Sequence, residues 1–378
     1  MLLKNIHAKK IIDSRNQPTI ELTINGQKAS SPSGKSTGKF ETPPYHKSLN
    51  WNIRFLNSLK PNIEINSFHD LKKLESLIKK KAKLKDVKKF GANALFALES
   101  ATLKALAKSH KKQLFQIINP HAKKLPTPVG NAIGGGLHSH NENHPIFQEF
   151  LIIPNGKNFK EKVDILNQTH KKLKSTIKAK NKNDEGAWQT NLNNEQVLQV
   201  LKQFKNISMG IDAAANSFHN NKEYNYKNKS LNRIAQIHYI NLLINQFNIF
   251  YFEDPLIETD FKGFSQIKHS SLHLVVGDDL TATQLSRVKR AIKSKAINSM
   301  IIKPNQNGSL LELAEIFQLC KKHNIKTIIS HRSGETLDDA LADYAVGFQA
   351  DYIKCGISTK WRQVKLKRLI NIEKQISK

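Results

Sequence analysis

Cysteine is scarce in this chain, with two residues among 378. Cys320 lies inside a helical pattern and Cys355 at the end of a strand pattern. Two thiols cannot supply the disulfide framework on which small secreted domains depend. We therefore expect both cysteines to be free thiols in a reducing cytoplasm.

Long apolar runs are also missing. A membrane-spanning helix needs about 20 consecutive apolar residues, and the richest stretch, residues 239–252, is interrupted by asparagine and glutamine. The first residues reach Lys9 and Lys10 without the apolar core and cleavage site of a secretory signal. The sequence therefore predicts no membrane span and no export.

Acidic residues are few relative to basic ones: 31 Asp and Glu stand against 60 Lys and Arg, a formal net charge of +29. Such an excess attracts polyanions, which makes RNA binding one hypothesis. The lysines are dispersed, however, and dispersed charge usually forms a solvated surface. Hydrophobic residues make up 39% of the chain, enough for a packed interior, so we expect a globular protein.

The patterning of apolar residues divides the chain in two. The first forty or so residues alternate apolar and polar positions and turn at Asn25-Gly26, which predicts a short antiparallel sheet. Residues 70–118 follow a helical period. Prolines near position 126 precede a different rhythm. We predict a small α+β capping domain over 1–124 and a larger catalytic domain over 125–378.

The larger segment repeats short apolar runs that each end at a polar residue. Six such residues are Asp212, Glu253, Asp278, Lys303, His331 and Lys354. From Glu253 onward they are separated by 25, 25, 28 and 23 positions, the length of one strand, loop and helix. This spacing predicts an α/β fold, a (β/α) barrel whose parallel strands bring the six side chains to one mouth. An open doubly wound sheet is the alternative.

The six side chains suggest a metal-assisted proton transfer. Asp212, Glu253 and Asp278 would repel one another in a common site, and an all-oxygen set of ligands suits Mg²⁺. A lysine near bound cations is pushed toward its neutral form, so Lys303 or Lys354 could act as a general base on a weakly acidic C–H. Lysine paired with Mg²⁺ is the known pattern for sites that stabilise an enediolate.

Several longer motifs point to one family. They are Asp13-Ser14-Arg15, Pro32 through Gly38, Gly91-Ala92-Asn93-Ala94, Gly135-Gly136-Leu137-His138, Gln148-Glu149-Phe150, Asp184-Glu185-Gly186, Glu253-Asp254-Pro255, Asp278-Asp279-Leu280, Lys303 with Asn305-Gln306, and Ser330 through Thr336. This ordered set resembles the enolases over nearly the whole chain. The resemblance implies an enolase-type (β/α)8 barrel behind a smaller α+β domain.

The resemblance also implies a reaction and its residues. The reaction is the reversible dehydration of 2-phosphoglycerate to phosphoenolpyruvate, a glycolytic carbon–oxygen lyase step with two Mg²⁺ ions. The implied roles are metal binding by Asp212, Glu253, Asp278 and Ser36, catalysis by Lys303 and Glu185, and substrate binding by His138, Glu149, His331, Arg332, Ser333 and Lys354. A homodimer is a further family expectation.

Some positions depart from the family pattern. Asn183 and Ala187 stand where the family usually has glycine, beside Glu185. Glycine permits conformations that other residues avoid, so the loop is expected to be more restricted. His140 and His144 add histidines to the segment after His138, and an adventitious zinc site there is an alternative to a purely structural role.

Three other functions compete with an active enolase. Gly34-Lys35-Ser36 superficially resembles a P-loop, but Ala29 replaces its first glycine and Pro43-Pro44 would break a following helix. A related enzyme acting on another 2-hydroxy acid is a second possibility. A third is an enolase-fold scaffold or RNA-binding protein with weak or altered activity, motivated by the charge and by the altered Glu185 loop.

Overall fold

A computed structural model of the chain describes residues 1–35, 38–139, 141–270 and 272–377. Its N-terminal strands are β1 (Leu2–Leu3), β2 (Ile6–Ile12), β3 (Pro18–Ile24), β4 (Gln27–Ser30) and β5 (Ile63–Glu64). Its N-terminal helices are α1 (Leu49–Ser58), α2 (Leu71–Lys81), α3 (Ala92–Ser109) and α4 (Leu114–Ile118).

Strands β2, β3 and β4 form the predicted antiparallel sheet. Asn25 (φ 46°) and Gly26 (φ 79°) make the two-residue turn between β3 and β4, as the positive φ of both turn residues allows. Helix α3 packs across this sheet and is buried along most of its length. The sequence pattern had not indicated α1, which begins after Ser48, whose side chain accepts a hydrogen bond from Trp51 N.

The remaining strands belong mainly to the second part of the chain. They are β6 (Thr127–Gly134), β7 (Glu149–Pro154), β8 (Trp188–Gln189), β9 (Ile207–Asp212), β10 (His219–Asn220), β11 (Glu223–Tyr226), β12 (Lys229–Leu231), β13 (Tyr251–Glu253), β14 (Leu274–Gly277), β15 (Ser299–Ile302), β16 (Lys326–Ser330) and β17 (Tyr352–Lys354).

Helices alternate with most of these strands. They are α5 (Phe159–Thr176), α6 (Asn194–Leu201), α7 (Arg233–Phe247), α8 (Phe261–Phe264), α9 (Leu285–Lys293), α10 (Pro304–Asn307), α11 (Leu310–Lys322), α12 (Ala340–Gly347) and α13 (Lys360–Ile376). Local sequence explains several starts: the Asn158, Asn232 and Ser309 side chains accept hydrogen bonds from the first turns of α5, α7 and α11.

Eight strands within the described ranges close into a barrel in the order β6, β7, β9, β13, β14, β15, β16, β17. Closure comes from β17, which pairs in parallel with β6 through Ile353↔Pro128 and Lys354↔Val129. The barrel prediction is therefore confirmed, and the open doubly wound sheet is excluded. Tyr251, Val276, Ile301 and other buried side chains fill its interior.

One strand differs from the all-parallel prediction. Strand β7 runs antiparallel to both neighbours, β6 and β9. The connection 135–148 contains a single 3₁₀ turn, Gly136–His138, among its described residues, whereas a parallel crossover usually needs a helix. As a result Glu149 stands at the start of β7, opposite Asp212 at the end of β9.

No helix within the described part of the chain is both long enough and apolar enough to cross a membrane. Cys320 and Cys355 are free and buried.

Candidate active site

The barrel strands deliver the six predicted polar residues to one mouth. Asp212, Glu253 and Lys354 are the last residues of β9, β13 and β17, whereas Asp278, Lys303 and His331 directly follow β14, β15 and β16. Parallel neighbours in register place these ends side by side, as in the pairs Glu253↔Asp212 and Ser330↔Lys354. The spacing of the sequence therefore located this edge of the barrel correctly.

The ammonium group of Lys354 lies among three buried carboxyl groups. Its Nζ donates to Asp212 Oδ2 at 2.9 Å and to Glu253 Oε2 at 2.8 Å. Glu149 Oε2 lies 2.9 Å from the same ammonium, without hydrogen-bond geometry. Burial alone would lower the pKa of Lys354, but these carboxylates outweigh burial and raise it well above its ordinary range.

Asp278 and Lys303 form a second ion pair at the mouth. Burial would lower the pKa of Lys303, but the adjacent Asp278 carboxylate raises it above its ordinary value. The sequence had suggested a lysine displaced toward its neutral form, and this ion pair acts in the opposite direction. Asp278 Oδ1 is buried and has no hydrogen-bond partner among the described residues, so one carboxylate oxygen is available to another ligand.

Two carboxyl groups, those of Glu149 and Glu185, line the same cavity as Asp278 and Lys303. Burial raises the pKa of Glu149 well above its ordinary range. Burial also acts to raise that of Glu185, but His331, His138 and Arg362 lower it well below. His331 Nε2 lies 3.8 Å from Glu185 Oε2, and His138 Nδ1 lies 3.7 Å from Glu149 Oε1. The pair is thus arranged to hold one proton, on the Glu149 side.

Burial disfavours the charged form of both histidines. Burial lowers the pKa of His331 well below its ordinary value, and burial also lowers that of His138. Neutral imidazoles can both donate and accept hydrogen bonds. The two imidazoles can therefore hydrogen-bond beside the carboxyl pair when neutral, and when protonated they lower the pKa of Glu185.

Arg332 anchors the cationic end of the site. Its guanidinium pairs with Glu41 at 2.9 Å and contacts Asn305 Oδ1 at 3.4 Å. The following loop is held against the N-terminal part of the chain, because Ser33 and Gly334 exchange backbone hydrogen bonds of 2.7 and 2.9 Å. Asp13 packs against Gly334 so closely that a Cβ there would lie 2.1 Å from its carboxylate.

These groups share one cavity of about 640 Å³. Its lining includes His138, Glu149, Glu185, Asp212, Asp278, Lys303, His331, Arg332, Ser333 and Lys354. Glu253 is fully buried beneath this surface and reaches it through Lys354. The cavity therefore brings together every predicted site residue except Glu253, which lies just below it, and Ser36, which is outside the described residues together with His140.

Two clusters of acidic groups and histidine could hold a metal ion. Oxygen atoms of Asp254, Asp278 and Asp279 lie within 4.8 Å of one another, and so do ligand atoms of His138, Glu149 and Glu185. Asp254 is also tied to the backbone, because its carboxylate accepts from Asp278 N at 3.0 Å and from Asp279 N at 2.7 Å.

Sequence reasoning missed several residues of the site. Tyr251 donates its hydroxyl to Glu253 Oε2 at 2.5 Å from inside the barrel. Arg362, fully buried on α13, donates to His331 Nδ1 at 3.2 Å and to Ser333 O at 3.1 Å. Glu41 pairs with Arg332. No local pattern marks Arg362 or Glu41, since both reach the site across a long separation in sequence. Tyr251 lies two residues before Glu253 on β13, and residues i and i+2 of a strand share a face, so this contact could have been found from the sequence.

The segment that resembled a P-loop is built differently. Ala29 lies inside β4, and no helix begins among the described residues after Gly34-Lys35 until Leu49. A P-loop needs a helix N-terminus directly behind its glycines. The structure therefore does not support a nucleotide-binding loop.

Comparison with protein families gives two matches that together span the chain. The family description "Enolase, N-terminal domain" matches residues 3–118, and "Enolase, C-terminal TIM barrel domain" matches residues 122–378. Their order agrees with the α+β part followed by the barrel.

Curated relatives named "Enolase" align over almost their full lengths. The relative from Methanosphaera stadtmanae is 34% identical over 406 residues, with 99% of this chain and 97% of the relative covered. Those from Archaeoglobus fulgidus and Ehrlichia canis are each 33% identical, over 401 and 408 residues, and cover 100% and 99% of this chain and 98% and 96% of the relatives. The chain therefore belongs to the enolase family, lyases that interconvert 2-phosphoglycerate and phosphoenolpyruvate.

Proposed function

We propose that this cavity performs the enolase reaction with Lys303 as the base and Glu185 as the acid. Lys303 removes the C2 proton of 2-phosphoglycerate, and Glu185 protonates the departing C3 hydroxyl. The observation that carries this assignment is the shape of the site: the Lys303 amine and the Glu149–Glu185 pair line the same 640 Å³ cavity. A substrate between them would have a base at one carbon and an acid at the next.

The proton for the leaving hydroxyl is held by the two carboxyl groups together. Burial raises the pKa of Glu149, which favours a proton on that member of the pair. Glu149 thus supplies the proton that Glu185 delivers. His138 and His331 would line this end of the substrate.

Asp212, Glu253 and Asp278 would hold one Mg²⁺ ion. In support of this set, all three groups offer oxygen and Asp278 Oδ1 is buried without a partner among the described residues, whereas Asp212 and Glu253 are bonded to Lys354. When bound, the ion supplies the positive charge that offsets the second negative charge developing on the substrate carboxylate. Ser36 is proposed as a ligand of a second Mg²⁺ ion from the family motif alone.

Cation binding by these carboxylates would also change Lys303. The Asp278 carboxylate is the group that raises the Lys303 pKa, so sharing that carboxylate with a divalent cation would lower the pKa again. The same lysine then moves toward the neutral form that a base requires.

The remaining cations fit the anionic ends of the substrate. Arg332 and Ser333 are proposed to bind the phosphate, since a guanidinium recognises phosphate through paired hydrogen bonds. Lys354 is proposed to bind the carboxylate. Its ammonium already contacts three buried carboxyl groups, which raise its pKa and favour its charged form.

The finer organisation of the protein is part of the same proposal. We place the domain boundary between residues 124 and 125, which is supported by α4 ending at Ile118 and the first barrel strand beginning at Thr127. A cytoplasmic location accords with two free, buried thiols. A homodimer is proposed from family membership.

Activity on 2-phosphoglycerate tests the proposal. We expect Mg²⁺-dependent growth of phosphoenolpyruvate absorbance that is lost on chelation, and a fall in kcat of roughly 10²- to 10⁴-fold for both Lys303→Ala and Glu185→Gln. Lys293→Ala, which changes an exposed lysine on α9, is the matched control and should turn over normally.

Two results would contradict the assignment. Normal turnover in Lys303→Ala would remove it as the base. Wild-type protein that binds Mg²⁺ tightly yet does not turn over 2-phosphoglycerate would instead favour an enzyme of the same superfamily acting on another 2-hydroxy acid.

A further inference from the structure

The turn that carries Glu185 is closed by a single residue, Asn183. Its side-chain Oδ1 accepts from Glu185 N at 3.0 Å and from Ala187 N at 3.0 Å. Its backbone C=O accepts from Gly186 N at 2.9 Å, and its own N–H donates to Ala187 O at 2.9 Å. All three backbone N–H groups of residues 185–187 are therefore bonded to Asn183.

The outer side of the same turn is held by different elements. Gly186 O accepts from Ser358 Oγ at 3.0 Å and lies 2.9 Å from His170 Nε2. Gly186 has a φ of 85°, and a Cβ there would lie 2.6 Å from Ser358 Oγ. The turn is thus clamped between Asn183 inside and the Ser358 and His170 side chains outside.

The Asn183 side chain packs closely against a glycine of the barrel. A Cβ added at Gly134, the last residue of β6, would lie 2.4 Å from Asn183 Nδ2. Asn183 is 8% exposed, and its Nδ2 has no acceptor among the described residues. The useful atom of this side chain is therefore its oxygen.

The direction of the Glu185 carboxylate depends on this turn. Glu185 is 5% exposed, and its side-chain contacts among the described residues include Asn131 Nδ2 at 3.4 Å, His331 Nε2 at 3.8 Å and Arg362 at 4.0 Å. Because these contacts are long, the backbone decides where the carboxyl group points.

We propose that Asn183 is a positioning residue, whose side-chain oxygen holds the 183–187 turn in the conformation that presents Glu185 to the substrate. The family usually has glycine at this position, which leaves the turn flexible. Here the Asn183 side chain instead restrains the turn through its hydrogen bonds to Glu185 N and Ala187 N. This inference rests on the proposed role of Glu185 as the acid.

A matched pair of variants distinguishes the effect of the side-chain oxygen from that of the rest of the side chain. Asn183→Ala removes the acceptor, whereas Asn183→Ser is nearly the same size as alanine and returns an oxygen that can accept in a tight turn, though more weakly. Asn181→Ala, at an exposed position just before the turn, is the control.

We expect Asn183→Ala to lower kcat by about 10- to 100-fold, since a displacement of about 1 Å has such an effect, while KM changes by less than about 3-fold. Hydrogen exchange at the amides of Glu185 and Ala187 should quicken by about 10-fold or more, because both lose their acceptor. Asn183→Ser should recover part of both losses, and Asn181→Ala should match wild type. Equal losses in the alanine and serine variants, unchanged exchange, or wild-type kcat in Asn183→Ala would overturn the proposal.

Gly134→Ala gives a second test by a different route. Its methyl group would push Asn183 out of place, so we expect the same fall in kcat and no further fall when it is combined with Asn183→Ala. Additive losses would overturn the proposal. Wild-type protein inactive on 2-phosphoglycerate would overturn the proposed function instead, and the exchange rates would still decide whether Asn183 holds the turn.

Discussion

At the scale of single residues, the contacts of this site reflect the free-energy cost of burying a charged side chain. Glu253 is fully buried, and an isolated buried carboxylate is strongly unfavourable unless it is paired or hydrogen-bonded. Lys354 and Tyr251 meet that need: the ammonium lies 2.8 Å and the hydroxyl 2.5 Å from Glu253 Oε2. The hydroxyl therefore holds one oxygen of the carboxyl group from inside the barrel, and Lys354 contacts both oxygens.

Tyr251→Phe should therefore weaken metal binding more than catalysis. Hydrogen bonds behind a metal ligand commonly contribute 10- to 100-fold to metal affinity, and we expect Mg²⁺ affinity to fall by about 10-fold, with kcat at saturating Mg²⁺ changed less than about 3-fold. Calorimetric titration with Mg²⁺ measures the first quantity. Tyr352→Phe, at the opposite end of the same barrel, is the control; unchanged Mg²⁺ affinity in Tyr251→Phe would contradict the idea.

At the scale of elements, the barrel strands and the N-terminal sheet are joined at a few polar contacts near the mouth. Asp338, between β16 and α12, accepts from Ser30 N at the end of β4 at 2.9 Å and from Lys104 Nζ on α3 at 2.9 Å. It also accepts from Ala340 N at 2.9 Å at the start of α12. One carboxylate thus connects the sheet, its covering helix and the barrel.

Asp338→Asn should destabilise the protein by about 2 kcal/mol, the usual value for a lost hydrogen bond to a charged group. Burial would raise the pKa of Asp338, but Lys104 outweighs burial and lowers it. A carboxyl group with a lowered pKa stabilises the fold above its unfolded pKa of about 4. The difference between wild type and variant should therefore be full at neutral pH and shrink as the pH falls through the lowered pKa.

Urea unfolding at neutral and acid pH measures this difference. Asp339→Asn is the matched control, since Asp339 is 40% exposed and lies 3.7 Å from Lys104; its effect should stay below about 0.5 kcal/mol. A difference between wild type and Asp338→Asn that does not change with pH would contradict the ionic contribution.

At the scale of the whole molecule, the net charge of +29 is the dominant property. Much of it is dispersed over exposed lysines of α2 and α5, such as Lys79, Lys80, Lys171 and Lys172. Dispersed charge attracts RNA without sequence preference, through release of counterions.

Binding of a single-stranded RNA homopolymer should consequently weaken by at least about 10-fold between roughly 50 and 200 mM salt. Lys303→Ala should bind as tightly as wild type, because one buried-site lysine contributes little to the surface potential. Fluorescence anisotropy at several salt concentrations measures both. Affinity that does not depend on salt would indicate a dedicated RNA site instead, and loss in the variant would place the RNA at the active site.

The sequence alone determined the barrel, the family and the order of groups around the mouth. Strand ends are visible because a strand buried on both faces is apolar until it emerges, so Glu253, Asp278 and Lys303 could be placed at one edge from their spacing, and Asp212 from the apolar run that it ends. The antiparallel sheet could also be predicted from the sequence, because the alternation of apolar and polar residues and the Asn25-Gly26 turn are both visible within a few residues.

Only the tertiary structure decided how those groups meet. The reversal of β7 brings Glu149 opposite Asp212, because the described residues of the connection to β6 form one 3₁₀ turn and no crossover helix. Glu41 reaches Arg332 from the N-terminal part of the chain, and Arg362 reaches His331 from α13. Such contacts depend on three-dimensional direction and on the cost of leaving buried polar groups unpaired, which no spacing along the chain expresses.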